Sequence, residues 1–301
     1  MIQTFDAVLP HGITLSCRAV GSPTLPVLVF LHGFPEGAFV WDHMLEHFGD
    51  RYRCIAPNLR GFERSSAPHE IEPYRAKHLV GDIVALIDQQ AAGRVEALVA
   101  HDWGGAVAWN IGAQRPEKLK GLVIINSPHP ATFLRDLKSS EEQQRASAYM
   151  NFLCRPDAEA LLAADDFARL WPFFTGMGAA DGPQVRGGWL TEPVRAQYRA
   201  LWSLGLRGGC NYYRASPLRP PTAQDRTIFG IEFPPGSVTV KVPTRVIWAE
   251  DDLALPVGLL DGLDAFVPEL DLVRIPGASH WIIHERPGLI AEQIEMALGS
   301  E

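Results

Sequence analysis

Cysteine is scarce in this chain, with four residues at 17, 54, 154 and 210 among 301. None stands in a C-x-x-C pair, and no Cys/His cluster has zinc spacing, so neither a disulfide scaffold nor a zinc module is expected. Long apolar runs are also missing. The longest are about ten residues, against the roughly 20 that span a bilayer. The opening MIQTFDAVLPHG lacks the charged-then-apolar pattern of a secretory signal. Excess positive charge is absent too: 27 Lys and Arg face 35 Asp and Glu, for a net charge of −8. A nucleic-acid surface and a polybasic membrane anchor are thereby disfavoured. A cytoplasmic protein with no nucleic-acid or membrane partner is expected. One chain carries no legible oligomeric interface.

What is present is an ordinary globular composition, 47% hydrophobic and 21% charged, long enough for one large domain with an inserted smaller one. Short apolar runs alternate with helical patterns in the first part. PVLVFLHG (26–33), a shorter run within 52–61, VEALVAH (95–101) and LKGLVIINSP (119–128) read as buried strands. HLVGDIVALIDQQ (78–90) and GGAVAWNIGAQRP (104–116) read as helices. Near-continuous apolar strands alternating with helices indicate a mostly parallel sheet covered on both faces. From about 129 to 225 the pattern turns helical and aromatic-rich. Strands then return at 242–251 and 270–278, before a helix at about 287–298. The expected organisation is an α/β core, 1–128 and 226–301, interrupted by a helical lid, 129–225. The stretch FGIEFPPGSVTV (229–240) is left unassigned between loop and hairpin.

The chemistry concentrates in AHDWGG. A strand, a sharp turn and a helix meet at Asp102, with small residues where neighbouring backbones must approach closely. The bland alternative is that Asp102 simply caps the helix. The functional reading places its carboxylate at the C-terminal edge of the sheet, where open α/β sheets bind ligands, and at a helix N-terminus that favours the anion. A carboxylate needs no deprotonation near pH 7. It suits attack on a saturated carbon bearing a leaving group, and the product is an enzyme ester that water must then cleave. That water needs a base. His280, after the last strand and before the last helix, is the choice among 10 histidines, with His284 its competitor. The acid that orients it should follow TRVIWA. Of Glu250, Asp251 and Asp252, Asp252 is preferred and Asp251 second. An oxyanion hole is expected from the N–H groups of Trp103 and Phe34. Gly33 lets the chain turn beside Phe34, and Pro35 makes a cis bond accessible.

With these residues in place, the chain resembles the α/β-hydrolase-fold epoxide hydrolases, from VFLHGFPE through HDWGG and WAEDD to GASHW. The resemblance implies that fold with an α-helical lid, no cofactor and no metal. It also implies two lid tyrosines that hydrogen-bond an epoxide oxygen and supply its proton. Tyr213 matches one, in Asn211-Tyr212-Tyr213-Arg214. Tyr149, seven residues before Pro156, matches the other, and Tyr212 and Tyr198 are the fallbacks. The expected partners are a small apolar epoxide and water. Haloalkane and haloacid dehalogenases share the Asp nucleophile. Fluoroacetate-type members, however, carry arginines where this chain has Trp103 and Ala106, and the second halide donor of haloalkane members is replaced by Phe34. A non-enzymatic ligand receptor on this fold is the remaining alternative, with no use for His280. Asn58 stands where many relatives have Asp, outside the expected site.

Overall fold

The computed structural model describes residues 1–177 and 188–299. Eight strands form one sheet: β1 (Gln3–Val8), β2 (Thr14–Val20), β3 (Val27–Leu31), β4 (Arg53–Pro57), β5 (Val95–His101), β6 (Leu119–Ile125), β7 (Thr244–Ala249) and β8 (Leu270–Ile275). Their spatial order is β1-β2-β4-β3-β5-β6-β7-β8. β1 and β2 pair antiparallel, as do β2 and β4, and every later pairing is parallel. The core helices are α1 (Asp42–Phe48), α2 (Ala76–Gln90) and α3 (Asp102–Gln114). Between β6 and β7 lie α4 (Pro130–Ser139), α5 (Glu141–Ala146), α6 (Tyr149–Leu153), α7 (Ala158–Phe167), α8 (Trp171–Thr175), α9 (Glu192–Ser203) and α10 (Arg207–Ala215). The chain closes with α11 (Ile282–Glu285) and α12 (Pro287–Leu298).

The central strands are apolar at nearly every position because both faces are covered. Side chains alternate across a strand, and the two faces feed two cores. Val29, Leu31, Leu98, Ala100, Leu122 and Ile124 join the core that contains α2 and α3. Leu28, Phe30, Ala97, Val99, Val123 and Ile125 join the one that contains α1 and α12. With no polar face left, the strands have no polar alternation to show.

The structure departs from the sequence expectation in four places. The first twenty residues form the β1–β2 hairpin, turning at Gly12 with φ +83°. β1 is largely exposed along its length, so it carries little hydrophobic signal. The helix expected from 104 begins two residues earlier, at Asp102, and ends at Gln114. The helical patterns after 129 are shorter than expected. The one through SSEEQQRASAYMNFLC divides into α5 and α6, and the next is interrupted at Asp165, Asp166 and Phe167, all with positive φ. The unassigned stretch at 229–240 contributes no strand among the described residues. It holds the end of a 3₁₀ turn (Thr227–Gly230) and then irregular chain, with the Val240 N–H donating to the Phe266 carbonyl.

One contact sets the height of α3 on the sheet. A Cβ at Gly104 would lie 2.5 Å from the Leu31 carbonyl oxygen and 2.7 Å from that of His32. The first turn of α3 therefore rests on the backbone at the end of β3. Gly104→Ala is expected to lower the unfolding free energy by about 1–3 kcal/mol, the usual range for overpacking. Chemical denaturation monitored by tryptophan fluorescence measures it. Wild-type stability in the variant would mean that α3 does not sit on the β3 backbone.

Candidate active site

Five strands deliver the site from their C-terminal ends. β5 runs into Asp102, β3 into His32-Gly33-Phe34, β6 into Asn126-Ser127, β7 into the turn that carries Asp252, and β8 into the loop that carries His280. Asp102 has φ +50°, the left-handed region that a non-glycine residue occupies at a cost of order 1–3 kcal/mol. The Ser127 hydroxyl donates to the Asp102 carbonyl at 2.7 Å. The strained turn aims the carboxylate away from the sheet and into a cavity of about 210 Å³.

The two carboxylate oxygens of Asp102 have different neighbours. Oδ1 accepts the Phe34 N–H at 2.7 Å. Oδ2 lies 3.8 Å from His280 Nε2, beyond direct hydrogen-bond range but close enough for charge–charge attraction. The loop that carries Phe34 has a cis Phe34–Pro35 bond. It is braced by His32, which lies 2.8 Å from the Gly33 carbonyl through Nδ1 and accepts the Leu59 N–H through Nε2 at 3.0 Å. Asn58 braces it further on, accepting the Ala38 N–H and donating to the Glu63 carboxylate at 2.8 Å. An aspartate at 58 would set two carboxylates against each other, which accounts for the amide there. The Trp103 N–H makes no described hydrogen bond to the Asp102 carboxylate.

His280 Nδ1 lies 2.7 Å from Asp252 Oδ2. Asp252 is fixed in turn by the Asn126 amide at 2.8 Å and by the Ala254 and Leu255 N–H groups at 2.9 and 3.0 Å. Its neighbours in sequence are committed elsewhere. Glu250 binds Arg274, and Asp251 is exposed. Burial pushes the His280 pKa down, but the charge and hydrogen bond of Asp252, then Asp102 and Glu36, outweigh it and raise the value to about 9. Tyr149 and Tyr213 line the same cavity as Asp102, with ring centroids 6.0 Å apart. Burial first, with the Asp102 carboxylate among the charges that reinforce it, pushes both phenols up. Both therefore remain O–H donors. Tyr213 packs edge-on against Trp103 at 5.0 Å and Phe34 at 5.4 Å.

The fallback residues lie in other networks. Tyr212 touches the cavity, but its hydroxyl donates to the Arg60 carbonyl at 3.0 Å. The Tyr198 hydroxyl donates to Glu36 at 2.7 Å, and His284 Nε2 lies 2.7 Å from the same oxygen. Sequence reasoning missed this Glu36 cluster. Glu36 is fully buried, and His101 Nδ1 lies 3.5 Å from its other oxygen. Burial alone would raise the Glu36 pKa, but the His284 and His101 imidazoles hold it well below the carboxylate range. The signal in the sequence was a glutamate directly after HGFP. Asn126 was missed as well, although a polar residue at the end of an apolar strand marks the ligand edge of such a sheet.

This geometry belongs to a recognised class. The pattern of the α/β hydrolase fold matches residues 26–287, and the chain belongs to that family, in the group that holds the epoxide hydrolases. It is 32% identical over 281 residues to epoxide hydrolase 3 of Xenopus tropicalis, covering 92% of this chain and 72% of that protein. It is 34% identical over 288 residues to the AB hydrolase superfamily protein YfhM of Bacillus subtilis, covering 94% of each. Among solved structures it resembles an epoxide hydrolase from hot-environment metagenomes, at 36% identity and TM-score 0.83 over the whole of both chains. It also resembles Bacillus megaterium epoxide hydrolase in complex with an inhibitor, at 28% identity and TM-score 0.87, covering 99% of this chain and 100% of that one.

The raised His280 pKa has a defined sign. The His280 charge pairing stabilises the fold fully below the ordinary value of 6.5 and ceases to do so as pH rises through about 9. In Asp252→Asn the His280 titration midpoint is expected to fall from about 9 toward 6.5, followed by imidazole NMR shifts. An unchanged midpoint would show that Asp252 does not set it.

Proposed function

We propose that the protein is a cofactor-independent epoxide hydrolase that works through an ester on Asp102. The observation that carries this reading is the split environment of the Asp102 carboxylate. Oδ2, facing His280, attacks an epoxide carbon and the C–O bond breaks. Tyr149 and Tyr213 give the departing oxygen hydrogen bonds and a proton, so the opened arm leaves as a hydroxyl. Ester formation removes the Asp102 charge, one of those that hold the proton on His280. That proton passes through solvent to the tyrosine that gave one up, which leaves the neutral imidazole that acts as base. Water deprotonated by His280 then attacks the ester carbonyl carbon. Oδ1 becomes the oxyanion, held by the Phe34 N–H and by the Trp103 N–H once the tetrahedral oxygen forms. Collapse passes the proton of the added hydroxyl to the departing oxygen, releases the vicinal diol and restores the Asp102 carboxylate beside a cationic His280, while Asp252 keeps the imidazole oriented throughout.

Residues 129–225 act as a lid over the core of 1–128 and 226–301 in this reading, and supply both tyrosines. Asp102 is the only Asp, Glu, Lys, Arg or His among the described residues that line the cavity. The lining supplies no cation for a haloacid carboxylate, and its remaining surface favours a neutral, largely apolar epoxide. A cytoplasmic location belongs to the same proposal, resting on the sparse, unpatterned cysteines.

His280→Gln is expected to stall at the ester, visible as an intact-protein mass gain equal to the epoxide. Asp102→Asn should show neither the gain nor turnover. A single wild-type turnover in ¹⁸O-water should leave the label in Asp102 and none in the diol. Label in the first diol would mean that water attacks the epoxide directly. Halide release from chlorinated alkanes without epoxide turnover would instead assign a dehalogenase. Tyr149→Phe and Tyr213→Phe should each lower kcat/KM roughly tenfold or more, and the double variant by about 10²–10⁴-fold, the range of general-acid catalysis. Epoxide kinetics at saturating and limiting substrate measure both.

A further inference from the structure

The cavity does not end at the nucleophile. Asp102, Ala106 and Asn110, spaced four residues apart along α3, all line it. That spacing places the three on one helix face. Eight residues of helix rise about 12 Å, so the lined surface runs two turns from the reacting carboxylate. The middle position is alanine, which leaves room above the helix. Leu79 of α2, Phe133 of α4 and Leu218 after α10 add apolar wall.

The far end is polar but uncharged. Asn110 is half-buried, and its amide oxygen accepts from Gln114, which is exposed, so this end meets solvent. The Asn110 amide nitrogen donates one N–H to the Ala106 carbonyl at 2.8 Å. One amide N–H and one oxygen lone pair remain for a ligand.

We propose, on the epoxide reading above, that the substrate is an epoxide bearing one elongated neutral arm that lies along α3 and ends in an uncharged polar group at Asn110. Ala106 then sets which arms pass and Asn110 sets which ends are preferred. An arm of about 12 Å exchanges water for apolar wall along most of its length. A hydroxyl or amide at its tip can give a hydrogen bond to the Asn110 oxygen and take one from its N–H, and an ether can take one.

Two measurements run side by side, the binding of vicinal diols by calorimetry and the turnover of the matching terminal epoxides. The probes are the butane, octane and decane diols, plus the decane diol with a hydroxyl at its far end. Wild-type affinity is expected to tighten by roughly threefold per methylene up to the decane arm. Ala106→Leu keeps a strong helix former and should cut the decane-to-butane affinity ratio about tenfold or more. Ala106→Met is the second variant if that one does not fold. Asn110→Leu should erase a preference of about two- to tenfold for the hydroxyl-ended arm, the worth of one hydrogen bond. Affinity independent of arm length, or an unchanged ratio in the folded Ala106 variant, overturns the proposal. Arm-dependent diol binding without turnover of any epoxide upholds the groove and removes the epoxide reading. Turnover of every epoxide with arm-independent binding does the reverse.

Discussion

The hydrogen bond from the Phe34 N–H to the Asp102 carboxylate is the constraint around which the site is arranged. It joins the loops after β3 and β5, two neighbouring strands of the sheet. It needs Asp102 in the left-handed region, and it needs the first turn of α3 pressed onto the Leu31 carbonyl. Each of these carries a conformational or steric cost, and the two-faced core of the parallel sheet is what holds both in place. Without that contact the carboxylate would be a helix cap free to turn toward solvent. With it, one oxygen is occupied and the other is left facing the histidine.

Charge is arranged around the same point in two tiers. His280 sits between Asp252 and Asp102 and is held cationic by them. Behind it, Glu36 gathers His284, Tyr198 and His101, and the His101 ring lies 4.7 Å from that of His280. His101 Nε2 also lies 2.9 Å from the His280 backbone carbonyl. Burial of so many ionisable groups is tolerated because nearly every one has a partner of opposite charge or a hydrogen bond. The arrangement fixes the imidazole by its ring nitrogen and by its own backbone at once.

Much of this was legible in the chain. The strands that carry the site announce themselves because parallel strands covered on both faces are apolar throughout. The order Asp102, Asp252, His280 follows from which strand ends supply the groups. The edge strand β1 was not legible, because a half-solvated strand has no continuous apolar run. The breaks near Ala148 and Asp165 escaped notice because nothing there reads as a breaker. The Glu36 cluster was invisible for another reason. Its members stand at 36, 101, 198 and 284, and only the folded topology brings them together. Tyr198 and His284, read as alternates for other roles, belong to that cluster instead.

Tyr198 lies on α9 and donates to a carboxylate rooted in the loop after β3. His284 binds the same oxygen while stacking on Trp189 at 4.0 Å. Separating α9 from the sheet would strip a fully buried anion of one of its donors and admit water behind His280. That side of the molecule therefore behaves as a weld. Whatever breathing admits a ligand must take place at a seam where no buried charge has to be uncovered.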